Sequence, residues 1–441
     1  MLKRILGGML ALVLIFQVGC SREIAVVTGE SSYQEKGVSI TDKGNYFDVV
    51  LDYTAGLTRR QMGEAFGRAI LKVVPNYEAL IDSYIAENLS RYEYPYSLLR
   101  VEDVKPQINE DYKDEIEGLA YAFAGGEENV RGDNKISREE IYLFNLFTDV
   151  VRGTQCCYVA VSGDRSSTGS TIAGRNLDWF GGQDNQLPII QSIITIKYPD
   201  KKVCSVGYLG YLGILTGFND DKVFAAIVDS QSGTPYSSLG IRSYALDLRF
   251  ALESTDTMED ACEFMRDPSK LYGVNHIIGF SDPDKSVILE NNFTGDGLDL
   301  KRVKRAVRTS ESALNKGISW GIDNAVGTVN SFLLYGNHDN HKSNKYNTKR
   351  WENMKKKLLE KGDNVSAEEL KDVITYKKGK SPGTFSDSGD LYNKMTVQMV
   401  IFEPESLSLQ VFFRSRNIIE NPETPVFEKI PVFYQDGELE D

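Results

Sequence analysis

The hydrophobic pattern of this chain changes period near Thr154, and that change constrains the fold more than any single motif. Before it, apolar residues recur at helical spacing. Leu57-Thr58-Arg59-Arg60-Gln61-Met62 leads into Ala65, Phe66, Ala69, Ile70, Val73 and Val74, the signature of one helix face. Leu80, Ile81, Tyr84 and Ile85 continue that style over 77–99, and Ile116, Leu119, Ala120 and Phe123 mark a helix over 110–124. Ser137-Arg138-Glu139-Glu140 is a capping box that opens another helix through Leu143, Leu146 and Phe147. After Thr154, short apolar runs predict strands at 156–161, 171–173, 189–196, 203–208, 223–228, 277–280, 287–289, 396–402 and 407–413. Helical stretches at 244–265, broken near Ser254-Thr255-Asp256, and at 349–359 lie between them. A helical third followed by a strand-rich remainder predicts an α+β fold, with a layered αββα arrangement as the way to bury both sheets.

The first nineteen residues stand apart. Lys3 and Arg4 precede an almost wholly apolar run over 5–16, too short to span a bilayer comfortably, so the pattern is that of an export signal. It ends Phe-Gln-Val-Gly-Cys, which resembles a bacterial lipoprotein signal with Cys20 acylated as the mature N-terminus; Gln17 stands where leucine is usual. An ordinary cleaved signal with a chance cysteine is the alternative. Acylation would anchor an exported protein to a membrane of the cell envelope, the outer membrane or cell surface being expected. Residues 20–44 are polar, without a sustained period, and predict a tether.

Charge and rare residues narrow the chemistry. With 50 Lys+Arg against 63 Asp+Glu, the net charge is -13 over 441 residues, which argues against a nucleic-acid partner. Three histidines (His276, His338, His341) argue against a His-rich metal site. Five cysteines (Cys20, Cys156, Cys157, Cys204, Cys262) are too few and scattered for a disulfide scaffold; Cys204 and Cys262 are either one disulfide or two buried thiols. Gly132-Asp133-Asn134-Lys135-Ile136-Ser137 lacks the full ligand spacing of a calcium loop and predicts a capped turn. His338-Asp339-Asn340-His341 predicts a polar loop rather than a metal site, and Lys355-Lys356-Lys357 a solvated helix face.

The stretch that carries chemistry is Gln155-Cys156-Cys157-Tyr158-Val159-Ala160-Val161, a Gly/Ser-rich turn, then Gly174-Arg175-Asn176-Leu177-Asp178-Trp179. Two antiparallel strands joined this way bring an arginine and an aspartate back beside a cysteine. The arrangement resembles the cysteine branch of the N-terminal nucleophile hydrolases: the choloylglycine hydrolases, acid ceramidase and its N-acylethanolamine relatives, and the penicillin acyltransferase-like proteins, to which it is most similar. The resemblance covers about residues 60–420. It extends to the glycine-rich stretch 207–219, to Thr328-Val329-Asn330-Ser331-Phe332, and to Tyr346-Asn347-Thr348-Lys349-Arg350-Trp351.

That resemblance implies a four-layer αββα sandwich over 156–441, preceded by a helical pro-segment over 45–155 and cut from it between Gln155 and Cys156. The freed Cys156 would carry thiol and α-amine on one residue, with ordinary pKa values of about 8.5 and 8, so the amine serves as general base without a histidine or a cofactor. Asp178 is expected to hold the amine, Arg175 to favour the thiolate, Asn330 to donate to the oxyanion, and Arg350 to order the site or bind an anionic group. The register leaves Cys157 open as the alternative nucleophile, with Cys156 favoured; only one of two adjacent strand residues can face the site. Asp229-Ser230 falls where many relatives place an oxyanion asparagine; an ionised aspartate cannot serve there, leaving Ser230 or backbone N–H groups. The implied activity is acyl transfer from a small N-acylated compound through a thioester, with lipid-ester hydrolysis of the phospholipase B-like kind and a non-catalytic surface binding protein as alternatives.

Overall fold

A computed structural model describes residues 26–151, 155–230, 240–293, 304–337, 341–342, 344–383 and 389–433. The export signal, Cys20 and His338 lie outside them. Strand formation begins earlier than the change of period suggests. Val38 and Ile40, then Phe47, Val49 and Leu51, alternate with less buried neighbours and are themselves buried. Such alternation makes half-buried strands: β1 (Ser32–Glu35), β2 (Val38–Asp42) and β3 (Phe47–Asp52). The predicted tether over 20–44 is therefore folded from residue 32 onward, and the segment 45–155 is not purely helical.

The helical third follows as α1 (Arg59–Val73), α2 (Tyr77–Asn88), α3 (Glu93–Val104), α4 (Glu110–Tyr121), α5 (Arg138–Asn145) and α6 (Phe147–Val150). Thr58 and Gln61 form a capping box on α1, and Ser137 and Glu140 form the expected one on α5. Helices α1 and α4 pack at glycine: a Cβ on Gly63 would stand 2.1 Å from the carbonyl oxygen of Glu115, and one on Gly118 2.2 Å from that of Arg60.

Beyond residue 154 come β4 (Gln155–Val161), β5 (Ile172–Asp178), α7 (Gln186–Ile189), β6 (Gln191–Lys197), β7 (Lys202–Tyr208), β8 (Thr216–Asn219) and β9 (Phe224–Asp229). Helices α8 (Tyr244–Ser254) and α9 (Met258–Arg266) show the expected break between them. Then follow β10 (His276–Ser281), β11 (Ser286–Asn292), β12 (Lys304–Arg308), β13 (Ala325–Val329), α10 (Lys345–Lys361), α11 (Ala367–Ile374), β14 (Thr396–Glu403), β15 (Ser408–Phe413) and β16 (Glu428–Ile430).

Among the described residues the strands form a ten-stranded sheet, β1-β2-β3-β6-β7-β8-β9-β10-β11-β12, and a six-stranded sheet, β13-β4-β5-β14-β15-β16. The first is antiparallel except where β3 runs parallel to β6. The small sheet lies on the large one, β4 against β9 and β10 and β13 against β11. Helices α8 and α9 cover the far side of the large sheet, and α10 and α11 that of the small one. The order of layers is αββα, as the sequence predicts. The sheets approach closely where Tyr158 lies across Gly279: a Cβ there would stand 2.5 Å from the tyrosine ring. Among the described residues no helix is long and apolar enough to cross a membrane.

Candidate active site

Strand alternation divides β4 between two cores. Cys156, Tyr158 and Ala160 belong to the core between the sheets, whereas Cys157, Val159 and Val161 belong to the core beneath α10 and α11. Both cysteines are fully buried, so burial does not distinguish them. Their neighbours do.

β5 pairs antiparallel with β4, setting Arg175 opposite Tyr158, Leu177 opposite Cys156 and Asp178 opposite Gln155. Arg175 therefore shares a face with the Cys156 side chain, and its Nη2 stands 3.5 Å from Sγ while donating to the carbonyl of Ile227 at 3.0 Å. Asp178, three positions on, faces the other way. Its Oδ1 accepts from Thr396 Oγ1 at 2.7 Å, and its Oδ2 accepts from Asn393 Nδ2 at 2.8 Å and from Arg350 Nη2 at 3.3 Å. Its role toward Cys156 runs through Arg350 and through its own backbone N–H on the thiol; the carboxylate makes no direct bond to the Cys156 nitrogen.

That nitrogen belongs to Asn330. Cys156 N–H donates to Asn330 Oδ1 at 2.9 Å, and Arg350 Nη1 donates to the same oxygen at 3.0 Å. Arg350 Nη2 donates to the carbonyl of Cys156 at 2.8 Å. Asn330 Nδ2 in turn donates to the carbonyl of Asp229 at 2.6 Å. Asn330 thus holds the Cys156 nitrogen through its oxygen, while its Nδ2, expected to donate to an oxyanion, is engaged by the Asp229 carbonyl. The loop after β13 is fixed by Asn347, whose Nδ2 donates to Asn330 O and Ser331 Oγ, each at 2.8 Å. Asn347 and Arg350 lie one turn apart on the buried face of α10, which begins where Asn344 accepts from the backbone N–H groups of Tyr346 and Asn347.

Electrostatics separate the thiols further. Burial pushes the Cys156 thiol above its ordinary range; the Arg175 guanidinium works against that rise and the Asp178 carboxylate adds to it. The Cys157 thiol is pushed up to about 12 by burial, with the Arg350 guanidinium working against that rise. Burial also raises Asp178, opposed by Arg350, Thr396 and Asn393. The two nitrogens Nε and Nη1 of Arg175 have no protein hydrogen-bond partner among the described residues, and the same holds for Arg350 Nε and Gln155 Oε1.

Four of the candidates, Arg175, Asp178, Asn330 and Arg350, thus gather on Cys156. Asp229 and Ser230 contribute differently. Asp229 pairs with His276 across β9 and β10, and its charge acts on Tyr244 of α8; His276 stacks on that same tyrosine. The Asp229 carboxylate therefore lies on the outer face of the large sheet, and its carbonyl meets the site at Asn330. Ser230 N–H donates to the carbonyl of Asn275. Thr396 and Asn393 escaped sequence reading because nothing local pairs β14 with β5. Asn347 had a signal: it stands three residues before Arg350 on a helix.

The structure also places the lesser motifs. The 132–137 segment is a turn in which Asp82 accepts from the N–H groups of Gly132 and Asn134. Cys204 and Cys262 are free buried thiols. Among the described residues no group of three or more metal-ligating side chains converges. An open groove of about 580 Å³, lined in part by Ile318, Trp351 and Leu359, lies along α10 and does not include Cys156.

No family model matches this chain, and no curated protein does. Among solved structures it is similar to the Caenorhabditis elegans ortholog of N-acylethanolamine-hydrolyzing acid amidase, with 18% identity over 56% of this chain and 93% of that one and a TM-score of 0.40. It is similar also to a mutant conjugated bile acid hydrolase from Clostridium perfringens (14% identity, 63% and 97% covered, TM-score 0.35). A third is penicillin V acylase from Agrobacterium tumefaciens (12% identity, 63% and 86% covered, TM-score 0.34). TM-scores of this size carry no functional inference, which rests on the geometry around Cys156.

Proposed function

We propose that this protein is a self-cleaving cysteine amidohydrolase or acyltransferase of the N-terminal nucleophile type. One observation carries the reading: buried side chains from three separate elements grip a single residue, Asn330 its nitrogen, Arg350 its carbonyl and Arg175 its sulfur. A cysteine that only fills a core needs none of these, and buried charge is costly to keep without a purpose.

In the first step the Cys156 thiol adds to the carbonyl carbon of Gln155, and the peptide nitrogen leaves as the amine of Cys156. Water then hydrolyses the Gln155 thioester, giving a carboxylate and a free thiol. Asn330 Oδ1 already accepts from that nitrogen and keeps the new amine in place. In turnover the amine takes the thiol proton as sulfur attacks the substrate amide, and it passes that proton to the leaving amine. The acyl group remains on sulfur until water, or another amine, accepts it.

Cys156 is 1% exposed in the uncut chain, so substrate entry requires the end at Gln155 to move aside once released. The substrate class is a small linear amide: an N-acyl amine, an N-acyl amino acid, a conjugated bile acid or a β-lactam side chain. Intact-mass measurement of the purified protein tests the reading. Two pieces ending at Gln155 and beginning at Cys156, with turnover on a panel of N-acyl amides, are expected. A single uncut chain whose cysteines resist alkylation would leave a non-catalytic binding protein, and turnover confined to lipid esters would favour an esterase. Acylation at Cys20, with attachment to the envelope membrane, is part of the same proposal; Cys20→Ser should shift the protein from the detergent phase to the aqueous phase.

A further inference from the structure

The side chain of Tyr208 closes β7 on the face turned toward the small sheet. The preceding residues of that face, Cys204 and Val206, belong to the inter-sheet core, and Phe218, opposite Cys204, stacks on Phe402 of β14. Tyr208 is 2% exposed, and its ring meets Trp179 edge-on at 6.3 Å. Its hydroxyl has no protein hydrogen-bond partner among the described residues. Yet it lies within electrostatic reach of Arg175 and of the Cys156 thiol. Folded proteins keep few buried hydroxyls unpartnered, because each forfeits its bonds to water. The unfilled Nε and Nη1 of Arg175 belong to the same neighbourhood. The Asp229 side chain, at the end of β9, faces the outer layer and does not supply a donor at Cys156. Burial holds the phenol protonated far above neutrality, so its oxygen stays a donor during turnover.

We propose that Tyr208 is a further catalytic residue, whose O–H donates to the acyl carbonyl oxygen as that oxygen becomes an oxyanion at Cys156. The inference rests on the amidohydrolase reading. As the Sγ–C bond forms, the carbonyl π pair moves onto oxygen, which accepts the Tyr208 hydrogen bond without proton transfer. Collapse restores the carbonyl and expels the amine, which leaves with the proton first taken from the thiol.

Tyr208→Phe removes only an oxygen that has no partner, so the variant should melt at the wild-type temperature or slightly above it. Turnover per cut chain on an N-acyl amide should fall in kcat by about 100-fold, the usual loss for one oxyanion donor, with KM nearly unchanged. A variant that melts normally and is not cut shows the same loss at the first acyl transfer and supports the assignment. Unchanged kcat in a cut variant overturns it, as does a lowered melting temperature with activity reduced only by the unfolded fraction. A wild-type chain that is neither cut nor active overturns the amidohydrolase reading and this one together; active wild type with fully active Tyr208→Phe overturns this one alone.

Discussion

Among the described residues, two buried charged clusters differ in how completely they are filled, and the Arg308–Glu290 pair is a third. One surrounds Glu115 on α4. Its Oε2 accepts from Arg249 Nη1 at 2.6 Å, and its Oε1 accepts from Arg249 Nη2 at 3.0 Å, from Arg59 Nη1 at 2.7 Å and from the Tyr53 hydroxyl. Arg249 Nε completes the set by donating to Glu253 at 2.7 Å. Every nitrogen of that guanidinium has an acceptor. The other cluster surrounds Cys156, and there Arg175 and Arg350 keep unfilled nitrogens, with the unpartnered Tyr208 hydroxyl in reach of Arg175. A saturated cluster holds elements together; the Glu115 set ties α1, α4 and α8 across the expected cut. An unsaturated cluster carries a standing cost and keeps room for a ligand's oxygen.

The largest effect expected is at sulfur. Cys156→Ala should abolish cutting and all acyl transfer while leaving the melting temperature equal or raised, as relief of an active-site cost predicts. A cut Cys156→Ala chain, seen by mass, would break the comparison outright. Glu115→Ala should do the reverse. Leaving Arg249 with Glu253 as its one carboxylate, and Arg59 and Tyr53 without that acceptor, should cost about 3–5 kcal/mol in denaturant unfolding, with cutting retained in the folded fraction. Burial alone would raise Glu115, but Arg249 and the other donors bring it below the ordinary carboxylate range. A depressed carboxylate contributes stability above its unfolded pKa and loses it as pH falls. Wild type should therefore lose more stability than Glu115→Gln on going from neutrality to below pH 4.

Asn330→Ala comes next. It removes the acceptor of the Cys156 N–H and frees Arg350 Nη1. Loss of a positioned group at the reacting centre typically costs about 100-fold, so self-cutting followed by mass should slow by that order. Asn330→Asp, which keeps an acceptor, should restore part of the rate. The precursor's pH profile should sharpen the contrast with Glu115. Because burial pushes the Cys156 thiol up, the thiolate fraction rises with pH through neutrality and past the ordinary thiol range. Cutting should accelerate by up to about tenfold per pH unit there. A rate independent of pH between 6 and 9 would mean that a thiolate already exists in the uncut chain.

How much of this the sequence carries depends on range. The helical third was legible because period and capping are local, as Ser137 with Glu140 shows. The β4–β5 hairpin was legible because its strands are neighbours in the sequence, joined across residues 162–171, which returns Arg175 beside the cysteine pair; the register, and with it the choice of Cys156 over Cys157, came only from the pairing. The strands β1 to β3 were missed, although Val38, Ile40, Phe47, Val49 and Leu51 alternate plainly, because the segment also reads as polar overall. The Asp229 carboxylate was misplaced for a subtler reason. Which face an end-of-strand residue presents follows from its pairing, here with His276, and that partner lies 47 positions away in the sequence. Thr396 opposite Asp178 is hidden by the same kind of distance.

The smallest effect belongs to the second cysteine, and it tests whether adjacency or environment decides. Cys157 points into the core beneath α10 and α11, among residues such as Val159, Met354 and Val373. Its thiol is pushed up to about 12, so almost none is thiolate near neutrality. Cys157→Ala removes one buried atom whose contacts are apolar, which should cost about 1 kcal/mol and leave cutting and turnover within about twofold of wild type. The strand register forbids both sulfurs from sharing a face. Full activity in Cys157→Ala therefore places the chemistry on the Cys156 side. Loss of cutting in Cys157→Ala with retention in Cys156→Ala would move the nucleophile to the apolar face, where no described arginine touches sulfur, and would detach reactivity from the Arg175 and Arg350 contacts.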